Sequence, residues 1–301
     1  MKKLAEKIRR VGVVANPEKT AGRAAVREAV KLITASGREV ITEPATARMA
    51  GLSVPVVADT AALAAASELV MVFGGDGTML RVAREIGGAR TPVLGINIGG
   101  LGFLTAVSTH DLAAALPRVW AGEFYVEARP LIAATGRVAG GVLRQTACND
   151  FVVSRGAIPR LIELEVTVDG AMLTGFRCDG LIISTPTGST AYSLSAGGAI
   201  VSPDAAVLTI TPICPHTLSN RSVVVNLDAT IEVRVASEKL EAMLSADGDC
   251  HTRLAPGEVI RIRRSRRNVR LVHLAGSSFF ETLRRKLNWS GSNLNGNASG
   301  A

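Results

Sequence analysis

Short apolar runs alternate with longer amphipathic runs through the first 124 residues of the chain. The short runs are rich in Val, Ile and Leu, which predicts strands, whereas the longer runs are Ala-rich with apolar residues at helical spacing. The predicted strands cover residues 11–16, 38–43, 69–73 and 92–98. The predicted helices cover residues 21–36, 78–87 and 109–120, with a looser Ala-rich segment at 58–68. Strands that alternate with helices form parallel sheets, so we expect the strand-to-helix turns to share one sheet edge, where ligands bind.

From about residue 125 the pattern changes to alternation with a period of two, which is typical of strands. Residues 161–173 alternate on both sides of a Val-Asp-Gly turn, and this arrangement predicts a β-hairpin. Only residues 189–199 have helical character within this half. The remaining predicted strands cover residues 181–184, 206–213, 222–227, 230–236, 258–264 and 268–275.

The chain closes with a segment of helical character, residues 277–289, which begins at Ser residues that can cap a helix. Residues 290–301 have the composition of a disordered tail. The predicted fold class is therefore an α/β N-terminal domain with a Rossmann-like parallel sheet, a β-rich C-terminal domain and a C-terminal helix. The expected boundaries are residues 1–124, 125–275, 276–289 and, for the tail, 290–301.

Membrane insertion and secretion are not expected from the distribution of apolar residues and cysteines. The sequence has no apolar run near the ~18 residues that a membrane helix needs, and its basic start lacks the apolar core of a signal peptide. Its four cysteines are widely spaced and form no C-x-x-C pair, which argues against a zinc ribbon, a redox dithiol and a disulfide scaffold. The adjacent Cys250-His251 pair could contribute to a metal site, but reduced thiols in a cytoplasmic protein, with no metal-ligating residues, are the better interpretation.

The net charge of +8 indicates an anionic partner, and phosphates on a small molecule, nucleic acid or anionic lipid all qualify. The densest basic run, residues 261–270, alternates Arg with apolar residues at both ends, which predicts a β-hairpin with a charged tip. A solvated hairpin or a subunit contact explains this run. Because it lacks interleaved aromatic residues, we do not expect nucleic-acid binding.

The stretch LVMVFGGDGTML, residues 69–80, predicts a phosphate-binding turn between a strand and a helix. Gly74 and Gly75 allow a sharp turn because glycine accepts positive φ, and the missing Cβ atoms let a bulky anion approach the backbone. Thr78 is expected to cap the helix, whose N-terminus attracts negative charge. The turn matches neither the Walker loop nor the G-x-G-x-x-G motif. Arg81, one turn later, either supports a phosphate or faces solvent.

Asp76 is the unexpected residue in this turn, because a carboxylate beside bound phosphate is repelled. It would be explained by a role in holding Mg²⁺, or in accepting a proton from a hydroxyl that attacks a phosphoryl group. The alternative is that Asp76 only caps the following helix. The residues alone leave both interpretations open.

Two other segments have the composition of a ligand-binding cleft. The glycine-rich residues 95–104 follow the next predicted strand and are expected to widen a cleft at the same sheet edge. Residues 179–203 contain Thr-Pro-Thr-Gly-Ser-Thr, a density of small hydroxyl groups that favours recognition of a sugar or a base. The G-x-S-x-G motif is absent, so Ser189 is not a candidate nucleophile.

Taken together, these motifs resemble those of the NAD kinase family of bacterial type, and the resemblance extends over most of the chain. The resemblance rests on residues 74–78, the Asn149-Asp150 pair, residues 179–203 and residues 213–221. The glycine-Asp turn is the less specific part, because diacylglycerol kinases and phosphofructokinases have similar turns. Residues 179–203 are highly specific.

The resemblance implies an enzyme that transfers the γ-phosphoryl group of ATP to the 2′-hydroxyl of the adenosine ribose of NAD, giving NADP, with Mg²⁺ as cofactor. It makes Asp76 the general base, while Gly74, Gly75 and Gly77 leave room for phosphates, with Thr78 and Arg81 beside them. It also implies NAD and ATP as small-molecule partners and a homodimer or homotetramer with a site shared between subunits.

The resemblance further assigns the residues that contact the dinucleotide. Asn149 and Asp150 match the pair that holds base and ribose groups. Arg160 and Arg177 match NAD-contacting positions, where an exposed strand Arg is the alternative explanation. The contacts from the second domain are Asp179, Thr190, Ala191, Tyr192, Ser193, Leu194 and Ser195.

Two positions carry open roles. Asp249 stands where many family members have Gln, and an ionised carboxylate cannot donate a hydrogen bond as an amide can. Its assignment as a dinucleotide contact is therefore the main departure from the family pattern. His216 matches a family His with either a structural or a ligand-binding role.

Two alternative functions remain at this point: a lipid or sphingoid-base kinase of the diacylglycerol kinase type, and a non-catalytic dinucleotide sensor. The Asn149-Asp150 pair and the Tyr192 loop argue against the first. The presence of Asp76 argues against the second.

Overall fold

The computed structural model describes residues 1–100, 102–156, 160–217 and 220–289. The predicted disordered tail, residues 290–301, lies outside the described residues. The α-helices are α1 Lys2–Ala5, α2 Arg23–Ala35, α3 Pro44–Ala50, α4 Thr60–Ala65, α5 Asp76–Glu85, α6 Leu112–Trp120, α7 Tyr192–Ser195 and α8 Phe279–Lys286. Short 3₁₀ turns cover Thr20–Gly22, Thr109–Asp111 and Gly188–Thr190.

The first half contains a parallel sheet with the strand order β2-β1-β3-β4 and β5 beside β4. Its strands are β1 Arg10–Ala15, β2 Glu39–Thr42, β3 Leu69–Gly74, β4 Val93–Asn97 and β5 Val107–Ser108. Every residue of β3 is buried, as expected for a continuous apolar strand with helices on both faces.

Helices cover both faces of this sheet. Residues Met71 and Phe73 of β3 pack with apolar residues of α2 and α6, whereas Val70 and Val72 pack with α4 and α5. This alternation follows from the opposite directions of successive strand side chains. The α/β fold class predicted for this half is confirmed.

The second half is built from β-strands, which confirms the predicted β-rich class. Its strands are β6 Phe124–Val138, β7 Gly141–Ala147, β8 Asp150–Ser154, β9 Ile162–Val168, β10 Ala171–Cys178, β11 Gly180–Ser184, β12 Val207–Ile213, β13 Val223–Asn226, β14 Ile231–Val235, β15 Ala242–Ala246, β16 Asp249–Leu254 and β17 Val259–Leu274. One sheet has the order β13-β12-β11-β8-β15-β16, and the others continue the sheet of the first half. One hydrophobic core contains residues from both sheets.

The predicted hairpin at residues 161–173 is confirmed by antiparallel pairing of β9 with β10. Asp169 and Gly170 at its tip both have positive φ, as a type I′ turn requires. The predicted hairpin at residues 261–270 is wrong. Those residues belong to β17, one strand that pairs with β6 along its length, apart from an irregularity between Arg264 and Asn268.

The charged segment of β17 lacks the Gly, Asn-Gly or Asp-Gly that a tight reversal needs, so it forms a bulge in place of a turn. From Arg264 to Asn268 the strand advances four residues, while the facing strand β6 advances two, from Ile132 to Pro130. Beyond the bulge, Leu271 pairs in parallel with Val93 of β4. The sheet is therefore continuous between the halves, and the domain boundary near residue 125 stays a prediction.

Several elements differ from the sequence-based expectation. Helix α3 and strands β6 to β8 were not predicted, although Pro is typical of the first helical position, which Pro44 occupies. The Glu43 carboxylate caps this helix by accepting the N–H groups of Ala45 and Thr46. The helical stretch predicted near residues 189–199 consists of a 3₁₀ turn and the single turn α7. Helix α8 begins after Ser278 as predicted, but without a side-chain capping hydrogen bond.

Candidate active site

The glycine turn connects the buried strand β3 to helix α5 at the carboxyl edge of the parallel sheet. Gly75 is the N-cap residue of α5, and its carbonyl accepts the N–H of Thr78 at 3.0 Å. A Cβ at Gly75 would have only Lys19 Nζ nearby, at 3.8 Å, and a Cβ at Gly77 would have no neighbour within 4 Å. The turn therefore exposes backbone to any anion that approaches it.

Two details of the turn differ from the prediction. Gly74 and Gly75 form it without positive φ. Gly74 is needed for packing, because a Cβ there would lie 2.3 Å from Thr78 Oγ1. Thr78 is a buried residue of the first turn of α5 and does not occupy the N-cap position.

The Asp76 carboxylate is directed away from its own helix and toward the glycine-rich segment that follows β4. Its Oδ2 accepts the N–H of Phe103 at 2.8 Å, and its Oδ1 accepts the N–H of Leu104 at 3.0 Å. A Cβ at Gly102 would lie 2.2 Å from Asp76 Oδ1, so only glycine permits this approach. The interpretation that Asp76 merely caps α5 is therefore wrong: two backbone donors fix its carboxylate, and 29% of the side chain stays exposed.

Helix α8 completes the surroundings of this carboxylate with residues that sequence analysis missed. Phe279 packs against Phe103, with 6.1 Å between the ring centroids. Lys286 Nζ lies 4.7 Å from the centroid of the Phe103 ring and 4.0 Å from Asp76 Oδ2. The only sequence signal was the cluster of basic residues in the last turn of α8.

The Asn149-Asp150 pair is held by a buried carboxylate that sequence analysis also missed. Asp247 Oδ1 accepts the N–H groups of Cys148, Asn149 and Asp150 at 3.1, 2.7 and 3.3 Å. The Asp247 side chain is completely buried. Asp247 and Gly248 have positive φ, so the Asp-Gly sequence at this hairpin was the available signal.

Arg84 connects this carboxylate to the glycine turn, because it lies on α5, the helix that begins at Asp76. Its guanidinium contacts Asp247 Oδ2 at 3.1 Å and Asp249 Oδ2 at 3.0 Å. Asp249, predicted as a dinucleotide contact, is thus an exposed ion-pair partner of Arg84 in this structure.

Asp150 is 4% exposed, and its pKa is raised to about 7 by burial and by the negative charge of Asp247. Its carboxyl group therefore changes protonation state near neutral pH. Beside it, the Oδ1 atom of Asn149 is buried and has no hydrogen-bond partner among the described residues. An unpaired buried acceptor is costly, and a ligand that donates to it would remove that cost.

The raised pKa of Asp150 predicts a specific pH dependence of stability. The folded protein retains the Asp150 proton above the pH at which the unfolded chain releases it, so this residue destabilises the fold progressively from about pH 4 to pH 7. Between pH 5 and pH 8, the free energy of unfolding should fall by about 1–3 kcal/mol more in the parent than in Asp150→Asn. Urea unfolding of both proteins at both pH values measures this, and equal pH dependence would refute it.

The hydroxyl-rich loop of residues 184–193 packs against the same pair. Thr185 Oγ1 donates to the carbonyl of Cys148 at 2.6 Å, and Ser184 Oγ donates to the carbonyl of Asn149 at 3.2 Å. A Cβ at Gly188 would lie 2.3 Å from the carbonyl oxygen of Asn149. Much of the hydroxyl density thus satisfies buried polar groups and fixes this loop against Asn149.

The predicted contacts at the end of this loop differ in accessibility. Ser193 is buried and its Oγ is 3.1 Å from Thr211 Oγ1, so it serves the packing of the loop. Tyr192 and Ser195 are exposed, and the side chains that are half-buried are Thr190, Ala191 and Leu194. These five residues are accessible to a ligand.

Three predicted contacts lie at the other end of β11. Asp179 precedes this strand and accepts a hydrogen bond from Arg155 at 2.7 Å, while Ser184 ends it about 15 Å away. Arg177 is exposed, with its Nε 3.9 Å from Glu163. Arg160 precedes β9, whose first residue pairs with Cys178. Within one chain, Arg160, Arg177 and Asp179 are therefore not brought together with the Ser184 end of β11.

Arg81 and His216 likewise lie outside the immediate surroundings of Asp76. Arg81 pairs with Glu85 at 2.9 Å and lines a separate cavity with Arg48 and Asp59. His216 is exposed, and its backbone N–H donates to the carbonyl of Arg177 at 2.9 Å.

A cavity of about 540 Å³ lies beside the Asp76 turn and is lined by Phe103, Thr105 and residues of β6, β17 and α8. Its wall contains Glu127, which contacts Arg129 at 2.8 Å and His273 at 3.0 Å. Burial alone would raise the pKa of Glu127, but hydrogen bonds from His273 and Arg129 outweigh burial and lower the pKa to about 2. Arg129 also donates to Thr187 Oγ1 at 3.2 Å, which links this wall to the hydroxyl-rich loop.

The parallel sheet, the open glycine turn at its edge and the fixed carboxylate place the chain in the class of α/β phosphate-binding proteins. Two family descriptions match its sequence: the ATP-NAD kinase N-terminal domain over residues 11–124 and the ATP-NAD kinase C-terminal domain over residues 148–274. The chain therefore belongs to the NAD kinase family.

Individual relatives agree with this assignment. The chain is 42% identical to the NAD kinase of Moorella thermoacetica, covering 95% of this chain and 91% of the relative. It is 40% identical to the NAD kinase of Syntrophotalea carbinolica, and the match covers 94% of this chain and 99% of the relative.

Solved structures of similar fold include yeast NADH kinase in complex with NADH, with a TM-score of 0.86, 25% identity and coverage of 95% of this chain and 89% of that chain. They also include an NAD kinase from Archaeoglobus fulgidus in complex with ATP, with a TM-score of 0.72 and 26% identity. This match covers 94% of this chain and 100% of that chain. The lipid kinase and the non-catalytic sensor are not favoured by these similarities.

Proposed function

We propose that this enzyme transfers the γ-phosphoryl group of ATP to the 2′-hydroxyl of the adenosine ribose of NAD, giving NADP. The observation that carries the proposal is the Asp76 carboxylate, which two backbone N–H groups orient at the edge of the sheet beside an open glycine turn. A carboxylate in that position is suited to accept a proton from an attacking hydroxyl group.

In the proposed reaction the 2′-oxygen forms a bond to the γ-phosphorus while the bond from this phosphorus to the β,γ-bridging oxygen breaks. The hydroxyl proton moves to Asp76, and ADP leaves. A ribose hydroxyl is a weak nucleophile, so orientation of the two substrates and stabilisation of the phosphoryl charge supply most of the acceleration. The hydrogen bonds from Phe103 and Leu104 keep the carboxylate in one orientation for this transfer.

The glycine turn is the proposed site of the donor phosphates. The backbone near Gly75 and Gly77 is uncovered, and the amino end of α5 directs free N–H groups into the same space. The ammonium group of Lys19 is close to Gly75 and adds positive charge.

The dinucleotide is proposed to bind between Asn149-Asp150 and the end of the hydroxyl-rich loop. The unpaired Asn149 Oδ1 atom supports contact with a donor group of the base or ribose. Asp150 can donate or accept a hydrogen bond near neutral pH, since its pKa is about 7. Tyr192, near the end of the hydroxyl-rich loop, offers an exposed ring for stacking.

Mg²⁺ is the proposed cofactor, and the available donors fit an ion that arrives bound to the triphosphate. The described residues contain no group of three or more His, Cys, Asp or Glu side chains that would hold a metal alone. Mg²⁺ is commonly bound through substrate phosphates and waters, so no side chain of this chain is assigned to hold it and Asp76 stays free to accept the proton. When bound, the ion neutralises phosphate charge.

We further propose a homodimer or homotetramer in which a neighbouring copy supplies Arg160, Arg177 and Asp179 to the dinucleotide site. The separation of these residues from the Ser184 end of β11 supports this arrangement. Light scattering after size-exclusion chromatography gives the number of copies, and a monomer would contradict the proposal.

A cytoplasmic location is proposed from the cysteines. The four cysteines are free thiols, and burial raises the pKa of Cys148 and Cys178, which makes both unreactive. None of the helices in the described part of the chain combines the length and apolar composition needed to span a bilayer.

An activity matrix on the purified protein tests the proposed function. ATP with Mg²⁺ and NAD should give NADP phosphorylated at the 2′ position, which a 2′-specific NADP-dependent dehydrogenase and phosphorus NMR both detect. Polyphosphate as donor, and NADH and a diacylglycerol as acceptors, belong in the same matrix. We expect NAD to be preferred over NADH and no transfer to the lipid. Phosphorylation of the lipid without NADP formation would refute the proposal.

A further inference from the structure

We propose that Lys286, at the end of helix α8, is a catalytic residue whose ammonium group binds the phosphoryl group during its transfer at Asp76. The inference rests on the proposed kinase function and adds a residue to its chemistry.

Contacts of helix α8 with the rest of the protein hold Lys286 over the site. Leu283 is 4% exposed and fixes α8 to the protein, and Phe279 packs against Phe103. Lys286 Nζ lies 4.7 Å from the centroid of the Phe103 ring, within the range of a cation–π interaction. Phe103 is also the residue whose N–H orients Asp76. One aromatic residue therefore positions both the base and the cation.

The distance between the Lys286 ammonium group and the Asp76 carboxylate leaves room for a substrate atom. Lys286 Nζ and Asp76 Oδ2 are 4.0 Å apart, which is too long for a hydrogen bond. Both carboxylate oxygens already accept backbone N–H groups, and Lys286 Nζ has no hydrogen-bond acceptor among the described residues. An oxygen atom about 2.8 Å from each group fits between them. The pair thus has space and unused hydrogen-bonding capacity for one substrate oxygen.

The reaction requires a positive charge beside Asp76. Asp76 is an anion that has to operate next to a transferring phosphoryl group, whose negative charge spreads over three oxygens. A cation beside the carboxylate offsets that repulsion, and it is most effective when partly withdrawn from water. The Lys286 side chain is 30% exposed, so it satisfies this condition and is still reachable by small solutes.

The experiment compares Lys286→Ala and Lys286→Arg with Arg284→Ala, a control that removes the same charge from the same turn of α8. NADP formation by the parent is established first. Lys286→Ala should lower kcat by about 10²–10³-fold, with KM for NAD changed by less than about threefold. Lys286→Arg should retain part of kcat, and ethylamine added to Lys286→Ala should restore activity in a saturable way. Arg284→Ala should match the parent and be insensitive to the amine.

The inference is overturned if Lys286→Ala turns over within threefold of the parent, or faster, which would make the side chain an obstruction. It is also overturned if neither Arg nor the amine restores activity, because a purely structural role of α8 would give that result; thermal unfolding of each variant reports such damage. If the parent itself forms no NADP, the proposed function fails, which is a separate outcome.

Discussion

Replacement of Asp76 by Asn is expected to reduce kcat for NADP formation by about 10²–10⁴-fold, the range typical of a lost general base. The variant keeps the size of the side chain, but its amide cannot accept the proton of the ribose hydroxyl and can accept only one of the N–H groups of Phe103 and Leu104. Binding of NAD should be nearly unchanged, because the contacts proposed for the dinucleotide come from Asn149, Asp150 and the hydroxyl-rich loop. Steady-state kinetics and isothermal titration with NAD measure the two effects separately.

A matched control is Asp59→Asn. Asp59 lies in the same half and accepts the N–H of Ala62 at the start of α4, a structural role remote from the Asp76 turn. Because Asn caps a helix about as well as Asp, this change should alter stability by less than about 0.5 kcal/mol and leave kcat within twofold of the parent. If Asp76→Asn were as active as Asp59→Asn, the assignment of Asp76 as general base would be wrong.

The second large effect concerns Asp247. Asp247→Ala should lower the free energy of unfolding by about 3–5 kcal/mol, because it leaves the Arg84 guanidinium and the N–H groups of Cys148, Asn149 and Asp150 without their buried acceptor. Urea unfolding at pH 8 measures the change. Removal of this carboxylate should also weaken NAD binding, since it fixes the Asn149-Asp150 pair.

The chain supplies its own comparison for this prediction. Asp249 contacts the same Arg84 but is 68% exposed on its side chain. Asp249→Ala should therefore lower the free energy of unfolding by less than about 1 kcal/mol. A smaller loss for Asp247→Ala than for Asp249→Ala would contradict the role given to the buried acceptor.

The local part of the site could be predicted from sequence because it is encoded in consecutive residues. An apolar run followed by Gly-Gly-Asp-Gly-Thr specifies a buried strand, a side-chain-poor turn and a helix, and all three are present at β3 and α5. The error at Thr78 arose because Gly75 provides the N-cap, so the threonine enters the helix and packs against Gly74.

The remainder depends on contacts between distant parts of the chain. Asp247 meets Asn149 across 98 sequence positions, and Lys286 reaches Asp76 only because α8 folds back onto Phe103. Neither of these two contacts produces a periodic pattern in the sequence. The basic run in β17 shows a similar limit: a hairpin and a bulged strand have the same alternation, and only the facing residues of β6 distinguish them.

Strand β17 belongs to both halves of the molecule. Before its bulge it pairs with β14, and after it Leu271 pairs with Val93 of β4. Any rotation of one half about the other must bend this shared strand, and the bulge, where the ladder is already interrupted, is its most compliant point. A rotation of this kind would therefore change the backbone mainly at Ser265, Arg266 and Arg267.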